Sequence, residues 1–239
     1  MNFKEIYFPS IDSTNTYLKN HYFELKNFSI VRADYQTSGH GRCERNWESE
    51  KGKNLLFSIL IKDKNIVKNG GFLSLVTAIS VCKTIEKSFP NITKPLIKWP
   101  NDIYINDKKV CGILLESNLP EYIVVGVGLN LNQKLFDGEY RKEPTSICLE
   151  AGNEIQIEIF QNRLYKELIE NLKICALEKN IFLECYKKHD YLLEKHVSFI
   201  NNNTSCDGIV KGVDANFNII IECNGETLHI SSGEFHLIN

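Results

Sequence analysis

The chain has 239 residues, 43% of them apolar and 24% charged, with 28 Lys and Arg against 30 Asp and Glu. That is one to two ordinary domains, able to bury roughly 72% of the surface the unfolded chain exposes, and it excludes a disordered chain, a collagen and a coiled coil. A net charge of −2 argues against a protein that grips nucleic acid through its phosphates.

In chain order, residues 5–8 read as a short strand. Asp12 and Ser13 are helix caps, and Tyr17, Leu18, Tyr22 and Leu25 follow at helical spacing. Residues 28–35 return to a strand, 36–53 form a polar loop with Gly39, Gly41 and Gly52, and 55–61 form a buried strand. Phe72, Leu75, Val76, Ile79, Cys82 and Ile85 mark an amphipathic helix stopped at Pro90. Strands are predicted over 96–99, 103–105, 110–115 and 122–131, with short turns at 106–107 and 118–121 that make the later ones antiparallel neighbours. Phe160, Leu164, Leu168, Leu172 and Cys175 define another helix. Short strands at 197–200, 208–213, 219–222, 226–230 and 235–238, with Asn224-Gly225 as a hairpin signal, predict a small barrel or SH3-like module. Asn201-Asn202-Asn203 reads as a loop, and the domain boundary is placed near residue 190.

The eight cysteines, at 43, 82, 111, 148, 175, 185, 206 and 223, include no CxxC, so no zinc knuckle reads out. Cys82, Cys111 and Cys175 lie in apolar runs, as buried reduced thiols do. The N-terminus lacks the basic start and apolar stretch of a signal peptide, and the longest apolar runs are too short to cross a bilayer. These features predict a cytoplasmic protein with no membrane partner. The histidines at 21, 40, 189, 196, 229 and 236 show no ligand spacing; His21 reads as helix surface, and His229 and His236 as barrel positions.

Common nucleotide and hydrolase signatures (GxxxxGK[ST], HExxH, GxSxG) are absent, and Gly39-His40-Gly41 is followed by Glu44 where a Rossmann fingerprint needs glycine. The loop QTSGHGRCERNW, residues 36–47, carries the most information. Its two glycines let backbone N–H groups turn toward an anion, Arg42 and Arg45 add forked donors, and Trp47 implies that something covers it. Taken alone, such a loop also reads as a solvated surface. Pro100-Asn101-Asp102 is turn chemistry, yet Asp102 is also suited to Mg²⁺. Lys109 opens an apolar run, where an exposed strand end is equally good. Gly112 implies a bulge or a close approach to the backbone; Gly126 and Gly128 in a central apolar strand fit either a ligand lying against it or a crowded helix crossing.

Together the ordered set DSTN (12–15), the Gly/Arg loop ending in Trp47, KWPND (98–102), KVCGILLE (109–116) and GVGLN (126–130) resembles the biotin protein ligase family. The resemblance spans about 5–180 as a catalytic domain, with GIVKGVD and SSGEFHL matching a small C-terminal domain. It implies an α+β fold with a mixed, largely antiparallel sheet, divided as 1–190 and an SH3-like 191–239. It further implies an ATP-dependent ligase that forms biotinyl-AMP and transfers biotin to a lysine of a biotin carboxyl carrier protein. Ser13, Thr14, Asn15 and Gln36 match the pocket for the ureido head, with Gly39, His40, Gly41 and Arg42 the loop that orders over biotin and Gly112 at the same pocket. Arg42 matches the residue that retains the intermediate, and Lys109 the lysine between the biotin carboxylate and the α-phosphate. Arg45, Trp47, Asn101 and Asn130 match the nucleotide side, and Asp102 a position near Mg²⁺ or the incoming amine.

His40 and the Cys43-Glu44 pair depart from the family's GRGR-type loop, and Glu44 is expected to point outward. With the motifs starting at residue 12, no winged helix and no repressor function are expected, and a homodimer through the sheet is implied. A lipoate or octanoyl ligase is the rival within the superfamily, but it would carry an RRxSGGG-type loop; a non-catalytic biotin binder would lack Lys109 or Arg42.

Overall fold

The structure is a computed structural model; it describes residues 3–138, 140, 142–201 and 204–238, the side chains of Glu44 and Asn201 excepted. Part of the predicted 201–203 loop and the orientation expected of Glu44 therefore lie outside the described residues. Strand β1 (Glu5–Phe8), helix α1 (Thr14–His21), β2 (Ile30–Ala33) and β3 (Leu55–Ile61) come first. Helices α2 (Lys64–Val67) and α3 (Phe72–Ser88) lead to β4 (Leu96–Lys98), β5 (Asp102–Ile105), β6 (Lys108–Asn118) and β7 (Tyr122–Leu129). These strands form a seven-stranded sheet in the order β1-β2-β3-β7-β6-β5-β4, antiparallel except between β1 and β2. Helices α4 (Ile147–Ala151), α5 (Ile157–Ile174) and α6 (Lys179–Lys187) follow. A second, antiparallel sheet then holds β8 (His196–Asn201), β9 (Thr204–Val213), β10 (Ile219–Cys223), β11 (Glu226–Ile230) and β12 (His236–Leu237), in the order β11-β10-β9-β8-β12. The architecture is α+β, as expected.

Strand alternation gives the large sheet two different faces. Phe57 and Ile59 of β3, Ile103 and Ile105 of β5, Cys111 and Ile113 of β6, and Val125 and Val127 of β7 join the inner sides of α3 and α5 in the main core. On the opposite face α1 covers only one end, where Leu18 and Leu25 pack with Val31, Leu60, Tyr122 and Val124. The remainder of that face, over β5, β6 and β7, is left open by the helices.

Several predicted elements need correction. Helix α3 is not amphipathic: nearly every side chain from Phe72 to Ile85 is buried. Its hydroxyls make this tolerable, because Thr77, Ser80 and Thr84 donate to the carbonyls four residues back and Ser74 donates to Pro100 O. Helix α1 ends at His21, short of Leu25, and β2 starts at Ile30 because Phe28 is turned to φ 63°. Strand β6 is longer than predicted, and the short α2, α4 and α6 were not foreseen. Two tight hairpins match their sequences, with positive φ at Asn106 and Asp107 and at Asn224 and Gly225. All eight cysteines are free, with Cys82, Cys111 and Cys175 buried.

The two sheets share one core. Val197, Phe199, Phe217, Ile219, Ile221 and Phe235 belong to the same hydrophobic cluster as α3 and α5. Trp99, at the end of β4, is the joint: its ring packs edge-on to Phe235 and tilted against Phe217, and its Nε1–H donates to Phe217 O at 2.8 Å. The connecting segment also closes the β4 edge, since Ile97 N donates to His189 O and Tyr191 N to Ile97 O. Among the described residues no helix is long and apolar enough to cross a membrane.

His189 anchors that connection while only 4% exposed. Its Nδ1 lies 2.8 Å from the Cys185 carbonyl and its Nε2 3.0 Å from Glu86. Burial opposes the charged ring, but the contacts with Cys185 and Glu86 outweigh it and raise its pKa above the ordinary histidine value. A raised pKa stabilises the fold fully below the unfolded value of about 6.5, and that contribution is lost as pH rises through the folded value. The difference in melting temperature between the native chain and His189→Gln is thus expected to be largest near pH ~5.5 and to shrink by pH ~9; a pH-independent difference would show that the charged pair contributes nothing.

Candidate active site

The open face of the large sheet is the floor of a cavity of about 690 Å³. Gly112 of β6 pairs with Gly128 of β7, and Leu114 with Gly126, so three glycines bare the backbone on one face. A Cβ on Gly128 or Gly112 would meet the Trp47 ring at 2.5 or 2.8 Å, and one on Gly126 would meet Asn15. The glycines therefore admit both an indole and a helix crossing.

Lys109 reaches this floor through an irregularity in register. Asp102 pairs with Gly112 and Ile103 with Cys111, but Tyr104 pairs with Lys109, leaving Val110 as an extra residue in β6. Simple alternation from Gly112 would send Lys109 into the core; the bulge turns it to the cavity side. Its Nζ lies 2.7 Å from Asp102 Oδ1 and 5.5 Å from the centre of the Trp47 ring. Lys98 also lines the cavity, and burial holds its amine below the ordinary lysine value.

The loop at 36–47 is built as a small hairpin. Thr37 and Ser38 donate to Ile11 O and Asp12 O, Trp47 N to Gly39 O, and Gly41 N to Arg45 O. Cys43 at its tip has φ 56°. Arg42 points from this tip to Asn101 Oδ1 and Gly233 O, at 3.5 and 3.4 Å, and Arg45 pairs with Glu234. The segment at 233–237 from the second sheet thus forms part of the cavity wall.

At the other end, α1 begins where Ser13 Oγ accepts from Thr16 N. Gln36 Oε1 accepts from Thr14 N at 2.7 Å, Ser58 Oγ donates to Asn15 Oδ1 at 2.5 Å, and Asn15 Nδ2 donates to Glu116 Oε2 at 2.7 Å. Glu116 also pairs with Lys19, and His40 Nε2 stands 3.8 Å away. Burial pushes the Glu116 carboxyl up, but hydrogen bonds from Lys19 and Asn15 hold it below the usual carboxylate range.

Every site residue expected from the sequence except Gly39 lines this cavity: Ser13, Thr14, Asn15, Gln36, His40, Gly41, Arg42, Arg45, Trp47, Asn101, Asp102, Lys109, Gly112 and Asn130. Gly39 lies beneath, where a Cβ would press on Gln36 and the Trp47 carbonyl. Asn101 Nδ2 is committed to Ile113 O, and Asn130 Nδ2 to Thr145 O. Among the described residues, Trp47 Nε1 and Asn130 Oδ1 are buried without a hydrogen-bond partner, one donor and one acceptor left unsatisfied at the cavity. Sequence reasoning missed Lys98 as a lining residue, and Ser58 and Glu116 as the partners that hold Thr14 and Asn15 from beneath. The polar Ser58 inside LLFSILI was the available signal, since a buried strand has no other use for a hydroxyl.

A polyanion and a carboxylate could share this cavity, because Lys109, Lys98, Arg42 and Arg45 converge on it. The pattern of the biotin/lipoate A/B protein ligase family matches residues 7–130. The bifunctional ligase/repressor BirA of Salmonella typhimurium is 31% identical over 239 residues, covering 96% of this chain and 72% of that protein. BirA of Escherichia coli is 30% identical over 234 residues, with 96% and 72% covered. The structure of a biotin protein ligase from Aquifex aeolicus in complex with biotin and ATP superposes with a TM-score of 0.87 at 28% identity, covering 98% of both chains. Sequence match, length of match and shared architecture agree, and the chain belongs to the biotin/lipoate A/B protein ligase family.

Proposed function

We propose that the protein activates biotin with ATP as biotinyl-AMP and passes biotin to a lysine of a biotin carboxyl carrier protein. The observation that carries this reading is the Lys109 ammonium, turned by the bulge onto a glycine floor within reach of Asp102 and facing the arginine loop. Its support is the Aquifex ligase, whose structure holds biotin and ATP. The chemical difficulty is to bring a carboxylate against a phosphate. Fixed cations offset that repulsion, and preorganised donors meet the charge that develops at phosphorus.

In this reading Ser13, Thr14, Asn15, Gln36, Gly39, His40, Gly41 and Gly112 surround biotin. Lys109 bridges its carboxylate and the α-phosphate, Arg42 retains the mixed anhydride, and Arg45, Trp47, Asn101 and Asn130 face the nucleotide. Asp102 is the residue that would hold Mg²⁺. Its chemistry fits, because Mg²⁺ takes one or two protein carboxylates and draws its remaining ligands from phosphate and water, and the bound ion would neutralise phosphate charge. Residues 1–190 act as the catalytic unit and 191–239 as its C-terminal module, in a reducing compartment such as the cytoplasm. A homodimer through the large sheet is part of the same proposal, with the open β1 edge, rather than the covered β4 edge, available to it.

Supplied with ATP, Mg²⁺ and biotin, the chain is expected to release pyrophosphate, and Lys109→Gln to lower kcat/KM by about 10²–10³, the size of one lost preorganised donor. Turnover with lipoate alone would assign the lipoate branch instead, and biotin binding without pyrophosphate a non-catalytic binder. Arg42→Gly is expected to label lysines of unrelated proteins by letting the anhydride escape; unchanged selectivity for the carrier would remove that role.

A further inference from the structure

The polar chain beneath the pocket has a shortage of hydrogens. Thr14 Oγ1 lies 2.9 Å from Gln36 Oε1 and 2.6 Å from Ser58 Oγ, and Ser58 Oγ lies 2.5 Å from Asn15 Oδ1. These are three oxygen–oxygen contacts served by two hydroxyl hydrogens. Both ends of the chain are fixed as acceptors. Gln36 Oε1 is set by the Thr14 backbone N–H, and Asn15 must turn its oxygen to Ser58 because its NH₂ faces Glu116, which as a carboxylate only accepts. Thr14 Oγ1 is also placed to donate to Gln36 Oε1, but that would leave the 2.6 Å contact with Ser58 without a hydrogen. The two shortest contacts take the two hydrogens, so Thr14 donates to Ser58 and Ser58 to Asn15. Thr14 Oγ1 and Gln36 Oε1 are then left facing each other with no hydrogen between them.

Resting on the biotin-ligase reading of this site, we propose that Glu116 is a positioning residue that sets the direction of this chain and so keeps Thr14 Oγ1 and Gln36 Oε1 as a paired acceptor for a ureido N–H. An arriving N–H supplies the hydrogen the pair lacks. Lys19 keeps Glu116 ionised from the α1 side, and His40, 3.8 Å from the same carboxylate, places the covering loop beside it. Replacing Glu116 by an amide removes the constraint. Asn15 can then flip, Ser58 can donate to Thr14 and Thr14 to Gln36, and all three contacts are satisfied without a ligand. The pocket relaxes and loses its appetite for the donor.

The test compares biotin with the two cyclic carbamate analogues in which one or the other ureido N–H is replaced by oxygen, using pyrophosphate release by the full chain. Glu116→Gln is expected to raise the biotin KM by about tenfold or more, the scale of one buried hydrogen bond left unmade. It should leave the ATP KM within about twofold, narrow the preference for biotin over the carbamates, and not lower the melting temperature. Ser58→Ala, which breaks the chain in its middle, should narrow the same preference, while Glu116→Asp, which keeps a carboxylate, should retain it. A biotin KM and a biotin-to-carbamate ratio unchanged in both Glu116→Gln and Ser58→Ala would overturn the proposal. So would a raised KM accompanied by a lower melting temperature and an intact ratio, the mark of a merely structural residue. If the native chain itself releases no pyrophosphate with biotin, the functional reading fails rather than the role of Glu116.

Discussion

One extra residue in strand β6 determines what the cavity can do. Had β5 and β6 paired without interruption, Tyr104 would oppose Val110, and Lys109 would be driven into the apolar side of the sheet, where an ammonium is costly. The bulge exchanges the two: Val110 is fully buried and Lys109 stands on the open face beside Asp102. Bulges concentrate next to active sites because they re-aim one side chain without disturbing the rest of a sheet. Here the rest of β6 and β7 keeps strict alternation, which is what lines up Gly112, Gly126 and Gly128 as a floor.

Two surrounding features give that floor its walls. At one end α1 crosses over Gly126, and Ser58, Asn15 and Glu116 tie the helix to the sheet through polar contacts rather than apolar ones. At the other, the C-terminal sheet is seated on Trp99 and brings Gly233 and Glu234 to Arg42 and Arg45. The loop at 36–47 is held from both sides, by α1 at its base and by the second sheet at its tip. This explains why the two halves share one hydrophobic core although their sequences differ in character: a loosely tethered module could not hold the arginines in place.

Much of the architecture was legible because it rests on local rules. A continuous apolar run located β3, the Asn106-Asp107 and Asn224-Gly225 turns located two hairpins, and helical spacing located α3 and α5. The residues that line the cavity were legible as ordered motifs, and Trp47, singled out in its loop, lies against Gly112 and Gly128 of the floor. What was not legible depends on pairing between distant segments. Counting by two from Gly112 gives the wrong face for Lys109, because a bulge is a property of two strands together. Helix α3 seemed amphipathic because its serines and threonines look polar, while in place they bond back to their own helix and bury. Glu116 ends an apolar run and gave no sign that it would order a hydrogen-bond chain running back to Gln36.

The central claim is that Lys109 leaves Asp102 to stand between two anions when the substrates arrive. A crystal structure of the protein with biotin and ATP tests it directly. The account predicts Lys109 Nζ between the biotin carboxylate and the α-phosphate, or on the mixed anhydride they form, with residues 36–47 closed above. Lys109 still paired with Asp102, and the ligands bound away from the glycine floor, would contradict it.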